Sequence, residues 1–93
     1  MALKSLSGKI ALVTGAGQNI GRGIALSLSA SGAIIVVNGR DNEGLVSETV
    51  AEIKKNGGNA VGYMADIADP ISVKTLIDKI KSDLGGLDIL ICN

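Results

Sequence analysis

Apolar residues are distributed along the chain in two alternating textures. Solid runs occur at Ile10-Ala11-Leu12-Val13, from Ala33 to Val37 and at Ile89-Leu90-Ile91. Between them the apolar positions open out to a spacing of three and four. A short solid run is the pattern of a strand buried on both faces, whereas the wider spacing marks an amphipathic helix. This predicts a strand over Lys9 to Thr14, followed by a helix over Asn19 to Ser31 that Gly32 ends as a C-cap. That helix should present Ile20, Ile24, Ala25 and Leu28 to the core, with Arg22, Ser27 and Ser29 off the stripe. A second strand follows over Ala33 to Asn38.

The next helix, capped by Asp41 or Asn42, should bury Leu45, Val46, Val50 and Ile53 and stop near Asn56, before Gly57-Gly58. Ala60 to Ala65 reads as a weaker third strand, loosened by Gly62. Asp69-Pro70 is a strong helix start, an N-cap followed by proline at the first helical position. Val73, Leu76, Ile77, Ile80 and Leu84 recur from there until Gly85-Gly86, and Asp88 to Cys92 is a fourth strand.

The order β-α-β-α-β-α-β with short connections implies parallel strands joined by right-handed crossovers, with helices on both faces. The expected fold class is α/β: a three-layer Rossmann-type parallel sheet, first half only, with strand order 3-2-1-4, occupying residues 1–93 as a partial dinucleotide-binding domain. Two helices should lie on one face and one on the other. The fourth strand then becomes an unprotected edge with apolar residues on both sides. Such strands need more chain or a partner to cover them, and a half-domain that dimerises through this face is the alternative.

Composition narrows the function. The 93 residues carry zero formal net charge, 46% hydrophobic and 19% charged residues, so no basic excess points to nucleic acid or an anionic membrane. The longest aliphatic run falls far short of the roughly 20 residues of a membrane span, and Met1 to Gly8 holds no apolar core resembling a signal peptide. One cysteine, Cys92, suits a reducing compartment, and the cytoplasm is expected. Histidine, tryptophan and phenylalanine are absent and Tyr63 is the one aromatic. A zinc site, a histidine-based catalytic set and a base-stacking platform are therefore not expected.

The candidate chemistry sits at the carboxyl ends of the strands: Thr14-Gly15, Gly39-Arg40, Asp66 and Asn93. In a parallel sheet these ends share one edge, and ligands bind where the strand order reverses. The stretch Val13-Thr14-Gly15-Ala16-Gly17-Gln18-Asn19-Ile20-Gly21 runs from strand through a glycine turn into a helix start. Gly15 permits a sharp bend and Gly21 a close approach. Free N–H groups at the helix start favour a pyrophosphate. The common fingerprint G-x-G-x-x-G would need glycine at position 20, where this chain has Ile20.

Thr14-Gly15-Ala16-Gly17-Gln18-Asn19-Ile20-Gly21 instead resembles the T-G-x-x-x-G-x-G turn of the short-chain dehydrogenase/reductase family. The resemblance extends through Asp66-Ile67 to Leu87-Asp88-Ile89-Leu90-Ile91-Cys92-Asn93, which is similar to that family's fourth strand entering an N-N-A-G motif. Asn19 stands in place of the middle glycine, and Cys92 in place of the first asparagine. Asparagine tolerates a left-handed or turn conformation and offers an amide to phosphate, so binding should survive at Asn19. The resemblance implies that Asp66 accepts a hydrogen bond from the adenine amino group and that Ile67 packs on the ring. It also implies that the Asn93 backbone lies against the cofactor ribose. As plain structure, Asp66 would be an ordinary strand-end carboxylate and Cys92 a small buried strand residue.

The family's NAD-binding members place an acid at the end of the second strand. Here that position is Gly39, followed by Arg40, so NADP(H) is expected over NAD(H) because a guanidinium holds a phosphate through paired hydrogen bonds. Arg40 as a solvated turn residue is the plainer reading, and Asp41 could reach the ribose instead. The family's catalytic serine and Y-x-x-x-K pair lie beyond its fourth strand. Tyr63 is followed by Met64, Ala65, Asp66 and Ile67, so no catalytic residue is assigned. The expectation is the N-terminal portion of an NADP(H)-dependent oxidoreductase acting on a small carbonyl or alcohol, oligomeric when complete. A non-catalytic dinucleotide-binding half-domain, acting alone or complementing another chain, is the alternative.

Overall fold

The computed structural model describes residues 5–93; Met1 to Lys4, the start of the stretch read for a leader, lie outside the described residues. Seven elements alternate: β1 (Ile10–Val13), α1 (Asn19–Ala30), β2 (Ile34–Gly39), α2 (Glu43–Lys55), β3 (Asn59–Met64), α3 (Pro70–Leu84) and β4 (Ile89–Ile91). The strands form one parallel sheet in the order β3-β2-β1-β4. This is the α/β architecture that the alternation predicts, and the element ends fall within a residue of the expected ones.

The pleat divides the strands between two cores. Ala11 and Val13 of β1 join Ile35 and Val37 of β2 against Ala25 of α1 and Val46 and Ile53 of α2. Ile10, Leu12 and Val36 point the other way, onto Leu76 and Ile80 of α3. The central strands are thus apolar on both sides because both sides are covered. No helix among the described residues is long and apolar enough to cross a membrane.

Local chemistry fixes the helix ends. The Asn42 side chain accepts the Leu45 N–H at 3.1 Å, so asparagine rather than Asp41 caps α2. Asp69 accepts the Ile71 N–H at 3.0 Å in front of Pro70. At the end of α1, Gly32 adopts φ +99°. Its N–H donates to Ser29 O at 2.9 Å, and the Ala33 N–H donates to Leu28 O at 3.2 Å, a pairing that satisfies the last carbonyls.

The inner face of α1 differs from the expected stripe. Ile20 is 73% exposed in the first turn, while Ser29 is buried. The buried line is Gly21, Ala25 and Ser29, small residues four apart. Small side chains let α1 lie close on its neighbours, and the bulkier Ile24 and Leu28 pack half-buried at the margin. The Ser29 hydroxyl occupies the space where a side chain on Gly58 would begin. Arg22 pairs with Glu52 and links α1 to α2.

β4 forms the expected edge. Ile89 and Ile91 pack half-buried against the α1/α2 core, but Leu90, the register partner of Leu12, is 53% exposed. Cys92 is a free, exposed thiol just past the strand rather than a buried strand residue, because the ladder ends at Ile91.

Tyr63 clasps β3 to α3. Its hydroxyl donates to Asp83 Oδ2 at 2.5 Å, and Lys79 Nζ lies 5.0 Å from the ring centroid. The hydrogen bond to the Asp83 carboxylate, then burial, then the Asp83 charge push the phenol up to about 12 from its ordinary 10.0. A folded-state value above the unfolded one means that the stabilisation is complete below pH 10 and is lost as the pH climbs through 12. In Asp83→Asn the tyrosinate absorbance midpoint should fall back toward that of a free tyrosine. An unchanged midpoint would show that Asp83 is not the cause.

Candidate functional site

All four strand ends singled out in the sequence meet along one edge of the sheet. β1 leaves the ladder at Thr14, which is buried and tied to β4. Its N–H donates to Ile91 O at 3.0 Å and its hydroxyl donates to the same carbonyl at 3.3 Å. The hydroxyl also accepts the Asn93 N–H at 3.0 Å. One threonine hydroxyl, acting as donor and acceptor, therefore holds the β1 and β4 ends together at the point where the strand order reverses.

The glycine turn is built on two left-handed residues. Gly15 has φ +61° and Asn19 has φ +56°; Asn19 is the one non-glycine with positive φ among the described residues. Asparagine thus takes the conformation that a glycine would supply, as expected of its short polar side chain. The Ala16 N–H donates to Asn38 O at 2.9 Å, pinning the turn to β2. A Cβ on Gly21 would strike the Gly15 carbonyl oxygen and stand 2.6 Å from Asn93 Nδ2. Asn93 Nδ2 in turn donates to Gly15 O at 3.4 Å. Turn, helix start and β4 end are in mutual contact.

The start of α1 is left open to an anion. Gln18, the N-cap, has extended backbone, its side chain makes no capping hydrogen bond, and the first turn holds no acidic residue. The first N–H groups of the helix lack an internal partner by geometry and carry the positive end of the dipole. Phosphate oxygens fit that arrangement, so the residues present suit a dinucleotide pyrophosphate. Ile20, exposed in the same turn, borders it.

A second cluster forms at the ends of β2 and β3. Arg40 is two-thirds exposed, with Nε 3.7 Å from Asp41 Oδ1 and Nη2 3.8 Å from Asp66 Oδ2. Asp66 is fixed by its loop and the start of α3: its N–H donates to Ser72 Oγ at 3.0 Å and its Oδ1 accepts the Ala68 N–H at 2.9 Å. That leaves Oδ2 toward Arg40. Ile67 stands beside it, 45% exposed. Long, exposed ion pairs hold little energy, so the guanidinium is free to exchange a carboxylate for a phosphate. A concavity of about 230 Å³ joins the two clusters, with Gly15, Gln18, Gly39, Arg40 and Val46 in its wall. A larger groove of about 470 Å³ between β3 and α3, walled by Tyr63 and Lys79, contains none of the strand-end residues named above.

Two buried polar residues complete the site and were not singled out in the sequence. Asn38 Nδ2 donates to Tyr63 O at 3.2 Å and to Ala65 O at 3.4 Å, tying the end of β2 to that of β3. Thr49 Oγ1 lies 3.3 Å from Gly17 O and 3.1 Å from Leu45 O, joining α2 to the turn. The available signals were an asparagine closing a valine run, and a threonine in helical register with Val46 and Ile53.

Residues 9–93 match the family described as short chain dehydrogenase. A versicolorin reductase of Emericella nidulans is 44% identical over 95% of this chain and 33% of its own length. A dehydrogenase/reductase from Sinorhizobium meliloti superposes with a TM-score of 0.93 at 37% identity, covering 97% of this chain and 36% of that one. A short chain dehydrogenase from Burkholderia cenocepacia, crystallised in complex with NADP, superposes with a TM-score of 0.86 at 40% identity over 92% of this chain and 35% of that one. The chain spans about a third of the length of the curated relatives it matches.

Two glycines of α1 should respond with opposite sign to the same change. Gly21→Ala drives a methyl into the Gly15 carbonyl and should cost about 1–3 kcal/mol, the scale of overpacking. Gly23 has nothing within 4 Å of an added Cβ, so Gly23→Ala should gain about 0.8–1 kcal/mol of helix propensity. Urea unfolding midpoints decide the matter, and two shifts in the same direction would contradict it.

Proposed function

Because the chain belongs to the short-chain dehydrogenase family, we propose that residues 1–93 form the cofactor-binding part of an NADP(H)-dependent oxidoreductase that acts on a small carbonyl or alcohol. The observation that carries the cofactor choice is the end of β2, where Gly39 offers no carboxylate and the exposed Arg40 guanidinium is held only by long ion pairs to Asp41 and Asp66. In this reading the pyrophosphate lies over the turn, against the N–H groups of Gln18, Asn19 and Ile20. Thr14, Gly15 and Gly21 give the turn its shape. Arg40 takes the 2′-phosphate through paired hydrogen bonds. Asp66 Oδ2 accepts from the adenine amino group, Ile67 covers the ring, and the Asn93 backbone borders the ribose.

When bound, the dinucleotide supplies or accepts a hydride at its nicotinamide. The 93 residues hold, orient and shield its adenosine and pyrophosphate, and the catalytic serine, tyrosine and lysine of the family are not among them. Support comes from the Burkholderia relative bound to NADP and from the reductase named among the relatives. The same reading places the protein in the cytoplasm, as an oligomer when complete, with no nucleic-acid or membrane partner.

Arg40→Ala should weaken NADPH binding by about 1.5–3 kcal/mol, the scale of a charged hydrogen bond, and leave NADH nearly unaffected. Titration of reduced-cofactor fluorescence against protein measures both. Equal losses for the two cofactors would defeat the assignment of Arg40 to the 2′-phosphate.

A further inference from the structure

The glycine that ends β2 is required by space rather than by backbone shape. Gly39 is not among the residues with positive φ and continues the strand normally. What it lacks is room. A Cβ there would come within 3.0 Å of Val46 Cγ2, closer than real Cβ atoms approach other heavy atoms, and would meet Met64 Sδ at 3.6 Å. The second methyl of Val46, Cγ1, stands 2.6 Å from the Cβ that Gly62 would carry on the adjacent strand. Val37, paired with Gly62, belongs to the core that Val46 joins. Each methyl of one side chain is therefore seated on the bare backbone of a different strand.

Val46 cannot easily move aside. It is 3% exposed, sits in the first turn of α2, and as a β-branched residue in a helix has one strongly preferred rotamer. Turning one methyl away from Gly39 would displace the other from its seat on Gly62. We infer that Val46 is a specificity-determining residue: it keeps position 39 free of a side chain and so keeps an acid away from the adenosine ribose. The inference rests on the cofactor reading above, in which the end of β2 meets that ribose. An acid at 39 would accept from the ribose hydroxyls and repel a 2′-phosphate, so the cofactor accepted at 39 is coupled to the size of the residue at 46. Val46 acts through Gly39 and is a positioning residue.

The test is a double-mutant cycle in the protein expressed from its own gene, with Gly39→Asp, Val46→Ala and the pair, read by thermal unfolding and by NADH and NADPH titration. Gly39→Asp alone should lower Tm by several degrees without improving NADH binding. In the pair, most of the Tm lost to the aspartate should return, and the ratio of NADH to NADPH affinity should rise by about tenfold or more over wild type, as gained hydrogen bonds and like-charge repulsion require. A Gly39→Ala cycle with Val46→Ala isolates the steric part should an aspartate variant fail to fold. Additive Tm changes in that cycle, or a Gly39→Asp variant of wild-type stability that gains NADH binding unaided, would overturn the inference. A wild-type protein that prefers NADH would refute the cofactor reading, while the Tm coupling between 39 and 46 would still report on the gate.

Discussion

The first turn of α1 reaches the carbonyl of Gly15 because Gly21 has no Cβ, and that backbone contact sets how far the helix start stands from the end of β1. The rest of the cleft is arranged around this approach. Gly21, Ala25 and Ser29 continue it as a line of small buried residues. The carbonyl of Gly15 also receives the Asn93 amide, so the same oxygen marks where helix, turn and fourth strand meet. Thr14 fixes the strand ends beneath it. An uncapped helix start in that position has N–H groups aimed outward and no internal claim on them.

On the other flank, α2 packs on core side chains and, at its start, also on bare backbone. A Cβ on Gly17 would stand 3.3 Å from Leu45 Cβ, and Val46 covers Gly39 and Gly62. Glycines usually weaken strands because they bring nothing to pack. Here the space of the missing side chains is filled by one valine, Val46. Val46, set on both strands, also stands in the wall of the concavity that Arg40 lines.

Most of this was legible in the sequence where a rule acts locally. Solid apolar runs located three of the four strands, Asp69-Pro70 and Gly32 marked helix ends, the alternation of elements implied parallel strands, and the dinucleotide-binding pattern implied their order. Asn19 was readable as a left-handed residue because its chemistry permits that conformation. The errors arose where packing partners decide. Ile20 fits a helical stripe by spacing, yet the buried line follows the small residues that let α1 approach its neighbours. Cys92 extends an apolar run but lies past the last ladder pair. Asn38 and Thr49 carry no motif, and their roles exist only once β3 and the turn are beside them. Gly62 looked like a flaw in a strand until Val46 was seen to occupy its place.

Tyr63, hydrogen-bonded to Asp83 on the far side of β3 from α2, gives the segment an optical character of its own. With no tryptophan and a single tyrosine among the 93 residues, near-ultraviolet absorption and intrinsic emission from this stretch report on one clasp between a strand and a helix. That clasp shares no residue with the glycine turn. Tyr63 therefore reports on the packing of β3 against α3.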